Sequence, residues 1–241
     1  MMALATLPRP PVVLNRLVRT MTPFQWTEVL FVVGFAVYFA ITDATNPAWY
    51  VAVNATSAIC GIVCVVLCAA GRRAQYYWGF VNIAAYIVIA ASSRYYGEVM
   101  LNVLYYLPTQ FIGLYYWSRH RGDDATRVKA KRMSPRLIAI GLVITLLATW
   151  GYRTVLVSLG GNATWLDGSS TVFALIANAL MVLRYREQWV LWIVVDVITV
   201  AMWVLAGDWT QTTMWAVYLV NAVYGLVVWT RLAKRDNQAN E

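Results

Sequence analysis

Seven polar side chains, Asn54, Asn82, Asn102, Gln110, Asn178, Asp196 and Asn221, stand inside long apolar stretches. Polar groups are costly at membrane depth, so they are expected to face the interior of a helix bundle. Each amide has two uses there. It can hydrogen-bond a neighbouring helix, a contribution of about 0.6–2 kcal/mol, or it can recognise the amide and hydroxyl groups of a ligand. Asp196 is the acid placed mid-span; it either bonds an Asn or Tyr across the bundle, or recognises ligand or couples a proton. Glu28 lies near a helix start and is read as interfacial. Five aromatic residues, Tyr86, Tyr106, Trp192, Trp215 and Tyr218, lie too deep to join an interfacial belt, so they suit stacking on a ring-shaped substrate. Tyr76, Tyr77, Trp78, Trp117, Trp189 and Trp229 fall near span ends and are assigned to the belt or to end packing.

Other chemistry is missing from the sequence. The single histidine, His120, sits between Arg119 and Arg121 at a helix end, a solvated site. Cys60, Cys64 and Cys68 stand one helical turn apart in an apolar run, the spacing of a helix contact rather than of a metal or redox pair. No Walker loop, His-Glu-x2-His or Gly-x-Ser-x-Gly motif occurs, so no enzyme, metal or cofactor is expected.

The elements that must position these residues follow from composition. Of the 241 residues 61% are hydrophobic and 12% charged, about half the charge of a soluble domain. Apolar runs of about 18–22 residues match a hydrocarbon core of roughly 30 Å, which excludes soluble folds and outer-membrane barrels. Breaks at charges, Gly and Pro predict eight spans, near 24–42, 49–70, 75–93, 97–117, 136–157, 168–185, 189–207 and 211–230. The net charge of +8 is topological rather than a nucleic-acid footprint. All but Arg94 and Arg153 of the nineteen Lys and Arg residues fall on one side of these spans. That bias places both termini in the cytoplasm of a multi-pass bacterial inner-membrane protein, with residues 1 to 21 an uncleaved arm.

Part of the chain repeats at a separation of about 112–114 residues. Tyr106-Leu107-x5-Gly113-Leu114-x2-Trp117 recurs as Tyr218-Leu219-x5-Gly225-Leu226-x2-Trp229. Upstream, Trp78-x3-Asn82 aligns with Trp192-x3-Asp196 and Arg72 with Arg186, pairing Asn82 with Asp196. The units are two three-helix blocks joined by one helix, hence parallel: a 3+1+3 core with an extra N-terminal helix. The expected divisions are 1–48, 49–117, 118–165, 166–232 and 233–241. Parallel repeats place a substrate between the halves near the midplane.

The stretch Glu187-x-Trp189-x2-Trp192-x3-Asp196, with Trp78-Gly79-x2-Asn82 and Gly113-x3-Trp117-Ser118-Arg119, resembles the PnuC family of bacterial vitamin transporters over about residues 49–235. The resemblance implies a core related to SWEET sugar transporters, facilitated diffusion of nicotinamide riboside and a homotrimer in the bilayer. It also implies substrate-pocket roles for Asn82, Gln110, Trp192 and Asp196. Asn102, Tyr106, Asn178, Trp215, Tyr218 and Asn221 follow from the repeat and helix spacing, and Tyr86 from its depth. Nicotinamide riboside joins a cationic pyridinium and an amide to a hydroxyl-rich ribose, a match for deep aromatics, amides and one acid. The leading expectation is a uniporter with alternating access, the vitamin being trapped by intracellular phosphorylation; the lack of a second buried acid separates it from coupled transport. The alternatives are a proton-coupled carrier using Asp196, a carrier of thiamine or riboflavin, and a receptor that binds without transport.

Overall fold

The computed structural model describes residues 21–92, 96–120, 127–158, 165–206 and 209–238. Among them lie eight helical elements: α1 (Pro23–Thr42), α2 (Ala48–Ala69), α3 (Gln75–Ser92), α4, α5 (Pro135–Ser158), α6 (Trp165–Val182), α7 (Gln188–Ala206) and α8 (Trp209–Gln238). α4 is α-helical over Tyr96–Leu101, opens into a π-helical turn at Asn102–Tyr106 and resumes over Leu107–Arg119. Pro108 explains the π-turn: it has no N–H, and its ring would meet the carbonyl four residues back in a regular helix. The arm at 1–20, the loop at 121–126 and the last three residues of the expected tail lie outside the described residues.

Local chemistry sets the helix ends. Thr22 caps α1 with a capping box, Gln25 Oε1 accepting from the Thr22 backbone N–H at 3.0 Å, and Pro23 takes the first helical turn. Asp43 ends α1 by accepting from Thr45 and Asn46. Those donors, Asn46 foremost, hold its carboxyl well below the usual carboxylate range.

α1, α2, α5 and α8 are each long and apolar enough to cross a bilayer. Their outward faces are greasy: α5, which among the described elements packs only on α6, leaves Leu146, Leu147 and Trp150 exposed. In water such a surface would be untenable; in lipid it is the expected solvent contact.

Packing divides the bundle into α2–α3–α4 and α6–α7–α8, which meet along two seams, α2 on α8 and α4 on α6. α1 packs on both α2 and α8. The same contacts recur in the two groups. The turn after α2 has Gly71 at φ +67°, and the turn after α6 has Arg184 at φ +69°. Trp229 Nε1 donates to Cys68 O at 3.0 Å across one seam, and Trp117 Nε1 donates to Met181 O at 3.1 Å across the other.

These indoles belong to an aromatic cluster. Trp117 and Trp229 have ring centroids 5.6 Å apart, with Tyr76 edge-on to Trp117 at 5.2 Å and Trp189 edge-on to Trp229 at 6.3 Å. All four are buried, so their role is end packing rather than the belt. The segment 127–133 straps the end of the bundle beneath them. Val128 N–H donates to Gly71 O at 3.0 Å, Lys131 N–H to Arg184 O at 2.8 Å and Arg186 N–H to Lys131 O at 2.9 Å. Val128 and Ala130 enter the cluster. Partial burial, with Arg184 nearby, pushes the Lys131 ammonium down from its ordinary value. Arg184 holds a backbone conformation that glycine takes freely, and its guanidinium donates to Lys129 O at 3.2 Å.

Candidate functional site

The polar residues gather along the seams. On α3, Asn82 Nδ2 donates to Ser57 O at 2.8 Å and to Ser57 Oγ at 3.1 Å. Gly61, one turn further along α2, leaves the space that Asn82 and Tyr218 fill: a Cβ there would stand 3.0 Å from Asn82 Nδ2 and 3.2 Å from the Tyr218 hydroxyl. Trp215 meets Tyr218 edge-on at 5.7 Å. Asp196 on α7 is buried and lies within electrostatic range of Tyr218. No side chain or backbone donor among the described residues bonds its carboxylate. Asn82, Trp215, Tyr218 and Asp196 therefore come together from α3, α8 and α7.

Gln110 sits one turn away on the other side of Asn82. Its amide lies over Gly79, and its Oε1 is buried without a partner among the described residues. At the second seam Asn178 Nδ2 donates to Thr109 Oγ1 at 3.0 Å, and the Tyr105 hydroxyl donates to Leu175 O. Asn221 Nδ2 donates to Val65 O at 3.3 Å. Asn178 with Thr109 and Val65 with Asn221 are the same pair of positions in the two groups, so each amide bonds across its seam through Nδ2. Asn102 is buried at the start of the π-turn, its carbonyl accepting from Leu107 N–H. Tyr106 and Trp192 are half-buried, Trp192 against the aromatic cluster. Tyr86 is 39% exposed, one turn beyond Asn82.

Two expectations change. The pairing of Asn82 with Asp196 is displaced by one residue. The turns at Gly71 and Arg184, the helix starts at Gln75 and Gln188, and the packing of Tyr76 on Gly113 and Trp189 on Gly225 all share one register. In it Asn82 corresponds to Val195, Ile83 to Asp196 and Gly79 to Trp192. Where the first group has Gly79 under Gln110, the second has Trp192 and the small Ala222. The site is thus lopsided, an amide on one wall and an indole on the other. The second change is Glu28, which is buried rather than interfacial, so Asp196 is not the only acid inside the bundle and the number of buried acids does not separate a uniporter from a coupled carrier.

Sequence reasoning passed over Ser57, Gly61, Tyr105 and Thr109. A glycine inside an apolar helix signals close approach, and Gly61 was legible on that ground; the others show only once the seams are formed. A cavity of about 210 Å³ opens between α1, α2 and the start of α8, lined by Phe31, Phe35, Phe39, Asn54 and Met214 among others. Its wall is mostly apolar and includes none of the residues gathered at the seams apart from their neighbour Asn54.

Buried amides, aromatic rings and carboxylates between two packed groups of a multi-pass helical bundle make a site suited to a small polar, ring-bearing molecule. The sequence profile of the family described as "Nicotinamide mononucleotide transporter" matches residues 51–231. The chain is 36% identical over 225 residues to the "Nicotinamide riboside transporter PnuC" of Neisseria mucosa, covering 88% of this chain and 84% of that protein. It is 33% identical over 219 residues to the protein of the same name from Haemophilus influenzae, covering 89% of this chain and 93% of that one. A solved structure titled "Crystal structure of the Vitamin B3 transporter PnuC" superposes with a TM-score of 0.74 at 34% identity, covering 89% of this chain and 93% of the other. This chain belongs to the PnuC family of bacterial membrane transporters.

Proposed function

We propose that this protein carries nicotinamide riboside across the inner membrane by facilitated diffusion, its two three-helix groups rocking about the seams in alternating access. Intracellular phosphorylation of the vitamin then traps it. The observation that carries this reading is the composition of the seam site: amides, phenols, indoles and the buried, unpartnered Asp196. Rings suit the pyridinium, Asn82 and Gln110 suit amide and hydroxyls, and Asp196 offsets the fixed positive charge. Substrate contacts are assigned to Asn82, Tyr86, Asn102, Tyr106, Gln110, Asn178, Trp192, Asp196, Trp215, Tyr218 and Asn221. The matched turns, indole bonds and amide pairs support a SWEET-like 3+1+3 core with repeats near 49–117 and 166–232. Strap and basic residues share one end, which supports cytoplasmic termini, and the family resemblance supports a homotrimer.

The family description and the relatives' names differ by a phosphate. No Lys or Arg lies in α2, α3, α6 or α7, nor in α4 before Arg119 or α8 before Arg231. A phosphate brought to that depth would lack a counter-charge, so the riboside is the substrate and the nucleotide is rejected. Counterflow uptake by purified protein in liposomes tests this, with nicotinamide riboside, its mononucleotide, thiamine and riboflavin as competitors. Riboside alone should compete strongly. Equal transport of the nucleotide would overturn the site, and saturable binding without flux would make the protein a receptor.

A further inference from the structure

α1 brings one carboxylate into the bundle. Glu28 is 6% exposed, and neither of its oxygens has a hydrogen-bond partner among the described residues. Contacts on both sides fix its level. Phe24 packs on Tyr224 with ring centroids 4.9 Å apart, and Thr22 Oγ1 lies 3.3 Å from the Tyr224 hydroxyl. Further along, Phe35 and Phe39 share a cavity wall with Thr213 and Met214, so α1 and α8 run antiparallel. One turn on from Phe24 and one turn back from Tyr224 set Glu28 at the level of Asn221.

α2 closes the third side. Gln25 Nε2 donates to Val66 O at 3.2 Å and Asn221 Nδ2 to Val65 O at 3.3 Å, so both amides direct an N–H to consecutive carbonyls of α2. Gln25 Oε1 is occupied by the Thr22 N–H at 3.0 Å. What remains is Glu28 Oε1, Glu28 Oε2 and Asn221 Oδ1: buried oxygens with no protein donor. Among the described residues the facing elements offer no cation. α2 has no charged residue, its titratable groups being Tyr50, Cys60, Cys64 and Cys68; α8 presents the phenols of Tyr218 and Tyr224, and its nearest cation, Arg231, is about two turns beyond. α1 contains no other charged side chain.

We infer that Glu28 and Asn221 Oδ1 form a binding site for one small monovalent cation, a proton or a sodium ion, at the junction of α1, α2 and α8. The cation supplies what the three oxygens lack, and oxygen-only donors of this kind suit hard ions. α2 and α8 belong to different three-helix groups, and α1 rests on both. Opening the α2–α8 seam would admit water to the carboxylate and release the cation, so occupancy favours the closed junction and slows turnover equally in both directions. The turnover consequence rests on the carrier reading above; the binding site itself does not.

The test has two arms on the full-length protein. Thermal unfolding in detergent is followed from about pH 5 to about pH 9 in choline buffer, with and without NaCl or KCl. A proton site lowers the midpoint as pH rises and ignores sodium; a sodium site raises it by a few degrees for about a hundredfold increase in NaCl, with KCl inactive. Glu28→Gln should abolish a sodium response and reduce a pH response, the remainder of which belongs to Asp196 and is removed in the Glu28→Gln, Asp196→Asn double variant. Riboside counterflow in liposomes, with the same cation on both sides, should slow as that cation rises, and Glu28→Gln should remove the dependence. Wild-type protein indifferent to pH and sodium in both arms overturns the site, as does a response that survives intact in the variant. If Glu28→Gln does not fold, Glu28→Asp keeps the charge with a shorter reach and should shift the midpoint of the response; an unshifted response counts against the site. A thermal response without flux refutes the carrier and leaves the site standing, whereas flux without any cation effect does the reverse.

Discussion

Gly79→Ala separates a ligand contact from a packing contact. A Cβ at Gly79 would stand 2.8 Å from Gln110 Oε1 and 3.0 Å from Nε2. Ordinary contact begins near 3.4 Å, so the amide must retreat by about 0.6 Å, and it sits at the end of a flexible side chain. Its Oε1 has no partner to lose. The added methyl also relieves the backbone entropy of a helical glycine, about 0.5–1 kcal/mol in favour of the fold. Stability should therefore hold or rise slightly. If Gln110 bonds the vitamin, displacing it costs about 1–1.5 kcal/mol of binding, a roughly five- to twelvefold higher half-saturation concentration. Gly225→Ala is the contrast. Its Cβ would meet three atoms of the Trp189 ring at 2.7 Å, and that ring is 3% exposed. A rigid buried indole cannot give way cheaply, so about 1–3 kcal/mol of stability should be lost. Concentration-dependent counterflow and thermal unfolding of both variants would be measured side by side. Unchanged half-saturation in Gly79→Ala at unchanged stability would remove Gln110 from the site, and a Gly225→Ala protein as stable as wild type would refute the packing argument.

Asp196→Asn should still transport, with the apparent affinity for the cationic riboside weaker by about tenfold, because the counter-charge goes while shape and an acceptor remain. A complete loss of counterflow at normal expression would show that the carboxylate does more than offset charge. Uptake by a uniporter of a cation is electrogenic: a potassium diffusion potential, negative inside, should drive accumulation of up to about fiftyfold per 100 mV, from about 2.3 kcal/mol per charge. Indifference to potential would point to exchange against another cation. Trp229→Ala should destabilise the bundle by about 3–5 kcal/mol, since it empties a fully buried site and removes the indole bond across the seam, leaving the Cys68 carbonyl only the Gly71 N–H. A thermal midpoint within a degree of wild type would contradict that.

The helices were legible in the sequence because bilayer thickness is a local constraint: an apolar run either spans the core or does not. Spans expected at 24–42, 75–93 and 136–157 end within a residue or so of α1, α3 and α5. The matching glycine motifs were visible for a similar reason, since Gly113 and Gly225 must lie bare under Tyr76 and Trp189 whatever surrounds them. Matching by residue type failed where the types differ between halves. Trp78 and Trp192 look alike, yet the turns at Gly71 and Arg184 set the register one residue away, because backbone geometry rather than side-chain identity aligns the two groups. Glu28 is the sharper case. Its place near a helix start suggested the interface, but burial depends on three helices meeting, and no local pattern in α1 records that α2 and α8 close over it. Tyr86 and Asn82 are one turn apart on the same helix, and only the packing of α2 and α8 leaves the first exposed and draws the second into the seam.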